Sequence, residues 1–246
     1  MNLELFIARR IAHNGSGNRP GVMVRIAVVA VALSVTVMIL ALAVIMGFKR
    51  EITDRVTGFS AQVEVADLRS AGSIESVPVL RSEQLERTIR SAGEVVRLTP
   101  YAVKGGVVKT PDAILGVMLK GVDGGYEWSF FRDHLLEGEL PRVGDSIRTK
   151  EILISRSVAR EMGLAPGDKV EMLFVESEKS PRRDRFKVAG IYSSGMDEMD
   201  NTVILTDLRN VQRLADWADG EISGYEIFTS DLAGADDFAR RLGRTL

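Results

Sequence analysis

The longest apolar run in the chain covers residues 26–48, IAVVAVALSVTVMILALAVIMGF, and contains no charged side chain. Its hydroxyl side chains are Ser34 and Thr36. As a helix it would be roughly 35 Å long at about 1.5 Å per residue, whereas a hydrocarbon core is about 30 Å thick. Arg25 and Lys49 flank the run, where long basic side chains reach the lipid headgroups. The pattern predicts a transmembrane helix over residues 26–48.

Two other structures also produce such a run, a cleavable signal peptide and a buried helix. Ala41-Leu42-Ala43 has the small-x-small form of a signal cleavage site, but the apolar run continues to Phe48 and begins only at residue 26. The apolar core of a signal peptide spans about 7–15 residues. A buried helix of a soluble domain normally carries a polar stripe, which this run lacks. A membrane anchor is therefore the better interpretation.

Small side chains recur along the predicted span, at Ala30, Ser34, Ala41, Ala43 and Gly47. Spacings of four and seven residues are typical of a helix face that lets another helix approach closely. A chance distribution of alanine is the alternative. We interpret these five residues as a candidate packing face for a partner helix in the membrane.

Charge differs between the two sides of the predicted span. Residues 1–25 contain four arginines and one glutamate, while the whole chain of 246 residues has a formal net charge of −2. Because basic flanks stay in the cytoplasm, we expect the N-terminus to be cytoplasmic and residues after Phe48 to lie outside the inner membrane. The predicted organisation is a cytoplasmic segment over 1–25 with a short surface helix at Asn2–Ala12, a span over 26–48 and a soluble domain over 49–246.

The soluble domain shows short strand and helix patterns in alternation. Residues 49–58 keep a helical pattern, so the spanning helix is expected to continue outward as a stalk. Ser82 and Ser155 are expected helix N-caps, and Gly163 is an expected left-handed stop. The fold class is predicted to be α+β, one transmembrane helix followed by a mixed α/β domain. The predicted strands cover 62–66, 95–99, 103–108, 113–122, 151–154, 169–175, 186–192, 202–205 and 225–229, and the predicted helices cover 82–91, 155–163, 207–217 and 235–246.

Ten residues, ESEKSPRRDR at 176–185, separate two of the predicted strands. This separation is too long for a tight hairpin turn, so the sequence predicts an exposed, projecting loop. The loop contains four basic and three acidic side chains, which makes it slightly basic.

The sequence carries no pattern that predicts a catalytic, cofactor or metal site. The segment GGVVKT at 105–110 lacks the glycine before the lysine that a P-loop needs. His13 and His134 are far apart in sequence, and the acidic turn 196–201 lacks the glycine and distal glutamate of an EF-hand loop. The chain has no cysteine, which excludes disulfides, and no basic patch with interleaved aromatic residues, so nucleic-acid binding is not indicated. We predict that the chain is not an enzyme.

Longer segments carry a further pattern: LFIARR at 5–10, VRIAVVAVALSVTVMILALAVIMGFKREI at 24–52, VTGFSAQVEV at 56–65, GVDGGYEWSFFRDHLLEGELP at 121–141, EILISRSVAREMGLAPGDKVEMLF at 151–174 and FKVAGIYSSGMDEMDNTVILTDLRNVQRL at 186–214. Together they resemble the opening span and periplasmic core of lipoprotein-releasing permeases of the LolC and LolE type. The resemblance covers essentially the whole chain. The segment at 151–174 is similar to macrolide-exporter (MacB-like) and FtsX-like permeases as well.

The resemblance implies an ABC transporter that extracts lipoproteins from the inner membrane, with a periplasmic domain of two subdomains. ATP would be bound and hydrolysed by a separate subunit, so no cofactor is expected on this chain. The implied partners are that ATPase subunit, a second permease subunit, the lipoprotein substrate, membrane lipid and a LolA-like periplasmic chaperone. Members of the family have four spans, so three further spans are expected after Leu246.

In LolC-like members a projecting hairpin docks the lipoprotein chaperone, and the resemblance places it at residues 176–185. The candidate contact residues are then Lys179, Ser180, Pro181, Arg182, Arg183 and Arg185. The segment is shorter than the hairpin that the resemblance implies. A LolE-like role without chaperone docking, or a merely solvated loop, therefore stays open.

Two other functions also stay open at the level of sequence. One is a MacB-like or FtsX-like permease with another substrate or a regulatory role. The other is a single-span, membrane-anchored binding protein.

Overall fold

The computed structural model of this chain describes residues 3–4, 6–7, 10, 20–70, 76–111, 113–144, 148–176, 179–195, 200–230, 232 and 234–245. Contacts divide the chain into two compact units, residues 1–54 and 55–246.

A single long helix, α1 (Pro20–Phe59), contains the predicted span. Proline at the first helical position is well suited to a helix start, because its missing N–H is not needed there. Within α1, Gly21–Lys49 is long and apolar enough to cross a membrane. The helix continues through Phe59, which confirms the predicted stalk. Of the predicted helix at Asn2–Ala12, residues 3–4, 6–7 and 10 are helical and the others lie outside the described residues.

The second unit contains eleven strands among the described residues. They are β1 (Val63–Ala66), β2 (Val79–Leu80), β3 (Val95–Lys109), β4 (Ile114–Val122), β5 (Leu135–Gly138), β6 (Glu151–Ser155), β7 (Lys169–Glu176), β8 (Lys179–Tyr192), β9 (Val203–Asp207), β10 (Glu221–Ile222) and β11 (Gly224–Thr229). The helices are α2 (Glu83–Ser91), α3 (Ser129–Asp133), α4 (Arg156–Met162), α5 (Leu208–Ala215) and α6 (Ala235–Leu242), with a 3₁₀ turn at Leu68–Ser70.

Six of these strands close into a barrel. β3 pairs with β4, β4 with β9, β9 with β6, β6 with β8, β8 with β7, and β7 returns to β3. The β4/β9 and β6/β8 pairs are parallel and the other four are antiparallel. β11 and β1 extend the sheet beyond β3, β5 adds to β8, and β2 and β10 form a separate two-stranded sheet.

The main hydrophobic core lies on the inner face of this barrel and under helices α4, α5 and α6. It contains fully buried aromatic and aliphatic side chains such as Met172, Phe174, Phe186 and Ile204. A second, smaller cluster lies on the opposite face of the sheet, and half of its buried side chains are aromatic: Tyr126, Phe131 and Tyr192. The two clusters account for the alternation of apolar side chains along the strands.

The local signals for the helix ends are confirmed. The Ser82 hydroxyl caps α2 by accepting from Leu85 N, and the Ser155 hydroxyl caps α4 by accepting from Val158 N. Gly163 ends α4 in the left-handed conformation with φ 64°, where a Cβ would be strained.

Asp207 caps α5 and lies at the centre of a buried network. Its side chain is 2% exposed and accepts hydrogen bonds from the backbone N of Gly144 at 3.0 Å and of Arg209 at 2.9 Å. The Arg209 guanidinium donates two more, at 2.9 and 2.6 Å. Burial alone would raise the pKa of Asp207, but these hydrogen bonds outweigh it, so the pKa lies below its usual value.

Two predictions of the strand and helix pattern are wrong, and four short elements were missed. The strands predicted at 95–99 and 103–108 are one strand, β3, because this strand continues through Pro100 and exchanges its neighbour β11 for β7 along its length. The final helix ends at Leu242. α3 and the short strands β2, β5 and β10 were not predicted, since they are too short to show a period.

The predicted loop at 176–185 is also wrong, because most of it is strand. β7 and β8 pair from Lys169–Lys187 to Glu176–Lys179, with a register shift between Phe174 and Glu176. Only residues 177–178 separate the two strands, and these lie outside the described residues. The ten-residue separation of the two predicted strands indicated a loop, but oppositely charged side chains stabilise the hairpin from both of its faces.

Candidate functional site

The outward face of the β7/β8 hairpin is basic. Side chains alternate along a strand, so Arg183, Arg185 and Lys187 point away from the core that Phe186 enters. Arg183 and Arg185 are 72% and 68% exposed, and their nitrogens lie 3.7 and 3.9 Å from the two carboxylate oxygens of Glu171. One carboxylate therefore serves two guanidinium groups at distances too long for hydrogen bonds. Their N–H groups remain accessible to a partner.

The other face of the same hairpin is tied to the domain. Arg182 forms an ion pair with Asp216 and donates to the carbonyl oxygen of Arg213 at 3.1 Å, at the C-terminal end of α5. Asp184 pairs with Lys150. These contacts hold the hairpin on the side opposite to Arg183 and Arg185.

The structure thus separates the predicted contact residues into two groups. Pro181, Arg183 and Arg185 are exposed, whereas Arg182 is engaged with α5. Lys179 and Ser180 lie in β8, and their side chains are outside the described set.

The five small residues of the span lie on two faces of α1 and not on one. At about 100° per residue, Ala30, Ser34 and Ala41 fall within roughly 40° of one another, while Ala43 and Gly47 fall on the opposite side. The Ser34 hydroxyl donates to the Ala30 carbonyl at 2.9 Å, which satisfies it within the helix. All five residues are exposed on the helix surface. Correcting the prediction in this way leaves two candidate surfaces for neighbouring helices.

The sequence that forms the apolar helix and the mixed barrel matches a known domain family. The family model described as the MacB-like periplasmic core domain matches residues 26–243. This chain belongs to that family. The match begins at the first residue of the apolar run 26–48 and ends after the last helix, so it includes residues 26–54 of the first compact unit and nearly all of the second.

Curated relatives of this MacB-like core domain are transmembrane proteins of lipoprotein-releasing systems. LolC of Xylella fastidiosa strain 9a5c is 26% identical over 212 residues, which cover 82% of this chain and 48% of the relative. LolC of Neisseria meningitidis serogroup B is 23% identical over 202 residues, which cover 79% and 46%. The chain spans about half the length of the curated relatives that it matches.

Solved structures of similar domains were also found. The periplasmic region of MacB from Actinobacillus actinomycetemcomitans has a TM-score of 0.45 and 15% identity, and it covers 74% of this chain and 81% of the other. The extracellular domain of the noncanonic ABC-type transporter YknZ from Gram-positive bacteria has a TM-score of 0.46 and 13% identity, and it covers 72% and 85%.

The described part of this MacB-like core domain shows no metal centre, since no three His, Asp or Glu side chains there come close enough to share an ion. His134 stacks on Phe130 with 4.3 Å between ring centroids. Asp200, from the acidic turn, is buried and accepts from Ser194 N and Oγ, while residues 196–199 lie outside the described set.

Sequence reasoning missed a polar cluster on the outer face of the MacB-like core domain. It consists of Glu64, Arg97, Thr99, Lys120 and Glu226. Each is a polar residue at an alternate position of a strand, which is the signal that could have placed them on one face. Their common location depends on strand order, and strand order is not visible in the sequence.

Proposed function

We propose that this chain is the anchored periplasmic part of a permease subunit in an ABC transporter that releases lipoproteins from the inner membrane. The observation that carries the proposal is the family match over residues 26–243, which joins the spanning helix and the mixed domain in one unit of homology. The LolC relatives support lipoprotein as the substrate class.

In this proposal α1 crosses the inner membrane with the N-terminus in the cytoplasm. The excess of arginine over acidic residues in 1–25 supports that orientation. The two small-residue faces of α1, one with Ala30, Ser34 and Ala41 and the other with Ala43 and Gly47, would contact further transmembrane helices and the second permease subunit. ATP would be bound and hydrolysed by a separate subunit, as no P-loop pattern occurs in this sequence.

The finer part of the proposal is that the β7/β8 hairpin docks a LolA-like chaperone. Its exposed guanidinium groups, Arg183 and Arg185, suit an acidic surface on the partner, and such complementarity mainly sets the encounter rate and orientation. Pro181 restricts the backbone near the tip and lowers the entropy that docking would remove. Arg182 serves to hold the hairpin, because it pairs with Asp216.

The Arg183→Glu/Arg185→Glu double variant should bind the chaperone roughly tenfold more slowly at low ionic strength, with the difference shrinking as salt is added. Surface binding between the purified chain in detergent and a LolA-like chaperone measures this association rate. The fold should be unaffected, since both side chains are exposed.

A matched control reverses two exposed arginines elsewhere, Arg87→Glu/Arg90→Glu on α2. This variant has the same net charge as the hairpin variant, so a general charge effect would slow both equally. Equal rates for the two variants, or undiminished binding by the hairpin variant, would remove the hairpin from the proposal.

A further inference from the structure

The outer cluster of Glu64, Arg97, Thr99, Lys120 and Glu226 lies on the sheet face that points away from the main core. Glu226 in β11 is directly opposite Glu64 in β1 on one side and Thr99 in β3 on the other. Directly opposite residues place their side chains on the same face. Arg97 is two residues before Thr99 along β3, and Lys120 reaches the cluster from β4. Four adjacent strands therefore bring these groups together.

Three buried polar atoms of the cluster have no hydrogen-bond partner within the described part of the chain: Arg97 Nε, Thr99 Oγ1 and Glu226 Oε2. Thr99 is 2% exposed. The other carboxylate oxygen of Glu226 accepts from Lys120 Nζ at 2.5 Å, and each of these two side chains is 12% exposed. A buried group without a partner costs about 1–3 kcal/mol, so three on adjacent positions call for a ligand or ordered water.

Aromatic side chains fix and border the cluster. The Arg97 guanidinium carbon lies 3.6 Å from the centroid of the Phe228 ring, which holds the cation over an apolar surface. Tyr126 is 8% exposed and lies beside the cluster. The centroids of the Tyr126 and Trp128 rings are 4.8 Å apart. Burial, and after it the negative charge of Glu226, raises the pKa of Tyr126, so its hydroxyl stays protonated. The Tyr126 hydroxyl therefore lies within electrostatic reach of Glu226 and Arg97.

The charges of the cluster are separated and only partly compensated. Lys120 and Glu226 pair with each other, whereas Arg97 and Glu64 form no ion pair with any residue that the structure describes. Glu64 lies directly opposite Glu226, so negative charge is crowded on the β1/β11 side. Partial burial, and after it the charge of Glu226, raise the pKa of Glu64. The β3 side offers a guanidinium and a hydroxyl. The cluster is therefore polarised, with donors at one end and carboxylate acceptors at the other.

We propose that the outer cluster binds a small zwitterion, with its anionic group on Arg97 and Thr99 and its ammonium group on Glu226 Oε2 and Glu64. Glu64 is exposed, so water already hydrates its charge, and water could also satisfy the three unpartnered atoms. A zwitterion adds what water lacks, an anion for the partly buried Arg97 guanidinium and a cation for Glu226 Oε2, through charge-assisted hydrogen bonds at each end. A free amino acid and a phosphoethanolamine lipid headgroup share this chemistry. The inference does not rest on the transport proposal.

Binding is tested with the purified chain in a maltoside detergent, by titration calorimetry and by the backbone amide NMR signals of Thr99 and Glu226. The probes are glycine and phosphoethanolamine. Phosphocholine, which has no N–H donor, and inorganic phosphate, which has no ammonium group, are the matched controls. We expect saturable binding of at least one zwitterion and much weaker binding of both controls. Preference for glycine identifies a free amino acid as the source, and preference for phosphoethanolamine identifies a lipid headgroup.

Variants locate the site. Glu226→Gln keeps the side-chain size, and Arg97→Gln replaces the guanidinium by a shorter, neutral amide. Each should weaken binding roughly tenfold or more, because each removes a charge-assisted hydrogen bond. Arg90→Gln removes an exposed arginine on α2 and should leave binding unchanged. Thr99→Val removes a hydroxyl that has no partner in the described protein, so it should weaken binding without lowering the midpoint of thermal unfolding.

Three results would overturn the inference. The first is that neither zwitterion binds saturably at millimolar concentration, which would leave water as the occupant. The second is that phosphocholine or phosphate binds as tightly as the preferred zwitterion. The third is that Thr99→Val and the charge variants bind as the parent does.

Discussion

Phe186→Ala is expected to lower the free energy of unfolding by about 3–5 kcal/mol, the usual loss for a buried aromatic side chain in a packed core. Phe186 is 1% exposed and lies in β8, directly opposite Val170 of β7, on the inner face of the closed barrel. Removing its ring leaves a cavity that the surrounding strands cannot fill, because each is paired on both sides. Urea unfolding followed by circular dichroism measures the change.

Val96→Ala is the matched control for Phe186→Ala. Val96 lies in the same sheet but is 68% exposed, so its loss should change stability by less than about 0.5 kcal/mol. If the two variants were equally stable, the barrel would not be closed around Phe186.

Asp207→Ala is expected to have the second large effect and to lower the free energy of unfolding by about 2–4 kcal/mol. The change removes the N-cap of α5 and leaves Gly144 N and the Arg209 donors without their acceptor. Asp207→Asn keeps one acceptor oxygen, so it should lower the free energy of unfolding by less than Asp207→Ala does. Thermal and urea unfolding of the two variants give the comparison.

The contribution of Asp207 should depend on pH in a defined direction. Its folded-state pKa lies below the value of about 3.9 for an unfolded aspartate. The carboxylate therefore stabilises the fold fully above the unfolded pKa, and this stability is lost as pH falls through the folded pKa. The difference in the free energy of unfolding between the parent and Asp207→Asn should be constant at neutral pH and should become smaller in acid below about pH 4. A gap that widens in acid would contradict the network.

The sequence sufficed for the elements whose signals are local. The span over 26–48 is uncharged and has the length of a bilayer, and α1 contains it. The limits of β6, α4 and β7 could be predicted closely, because their signals lie within a few residues of each limit. These signals are the Ser155 cap, the left-handed Gly163 and the turn after it.

Elements that depend on distant contacts could not be predicted. The hairpin at 176–185 appeared to be a loop because ten residues separate the two predicted strands. Glu171, Lys150 and Asp216, however, supply opposite charges that hold these residues as strands, from β7, the β5–β6 connection and the end of α5. β3 appeared interrupted at Pro100, and only its pairing with β11 shows why the strand continues. The outer cluster was missed because it requires the order of β1, β11, β3 and β4.

The small-residue face of the span was a different kind of error. Within each pair, Ala30/Ser34 and Ala43/Gly47, the spacing of four residues does place both side chains on one face. The two pairs start thirteen residues apart, however, and at about 100° per residue they do not share a face. Angular position, which the sequence already contained, corrects the prediction into two faces.

Lipoprotein release is the measurement that tests the proposed function most directly. The complete product of the gene that encodes this chain would be reconstituted into proteoliposomes with its ATPase, its partner permease subunit and an acylated lipoprotein, with a LolA-like chaperone outside. The proposal predicts that ATP, and not a non-hydrolysable analogue, transfers the lipoprotein to the soluble chaperone. ATP hydrolysis without any transfer, or with export of a small molecule instead, would contradict it.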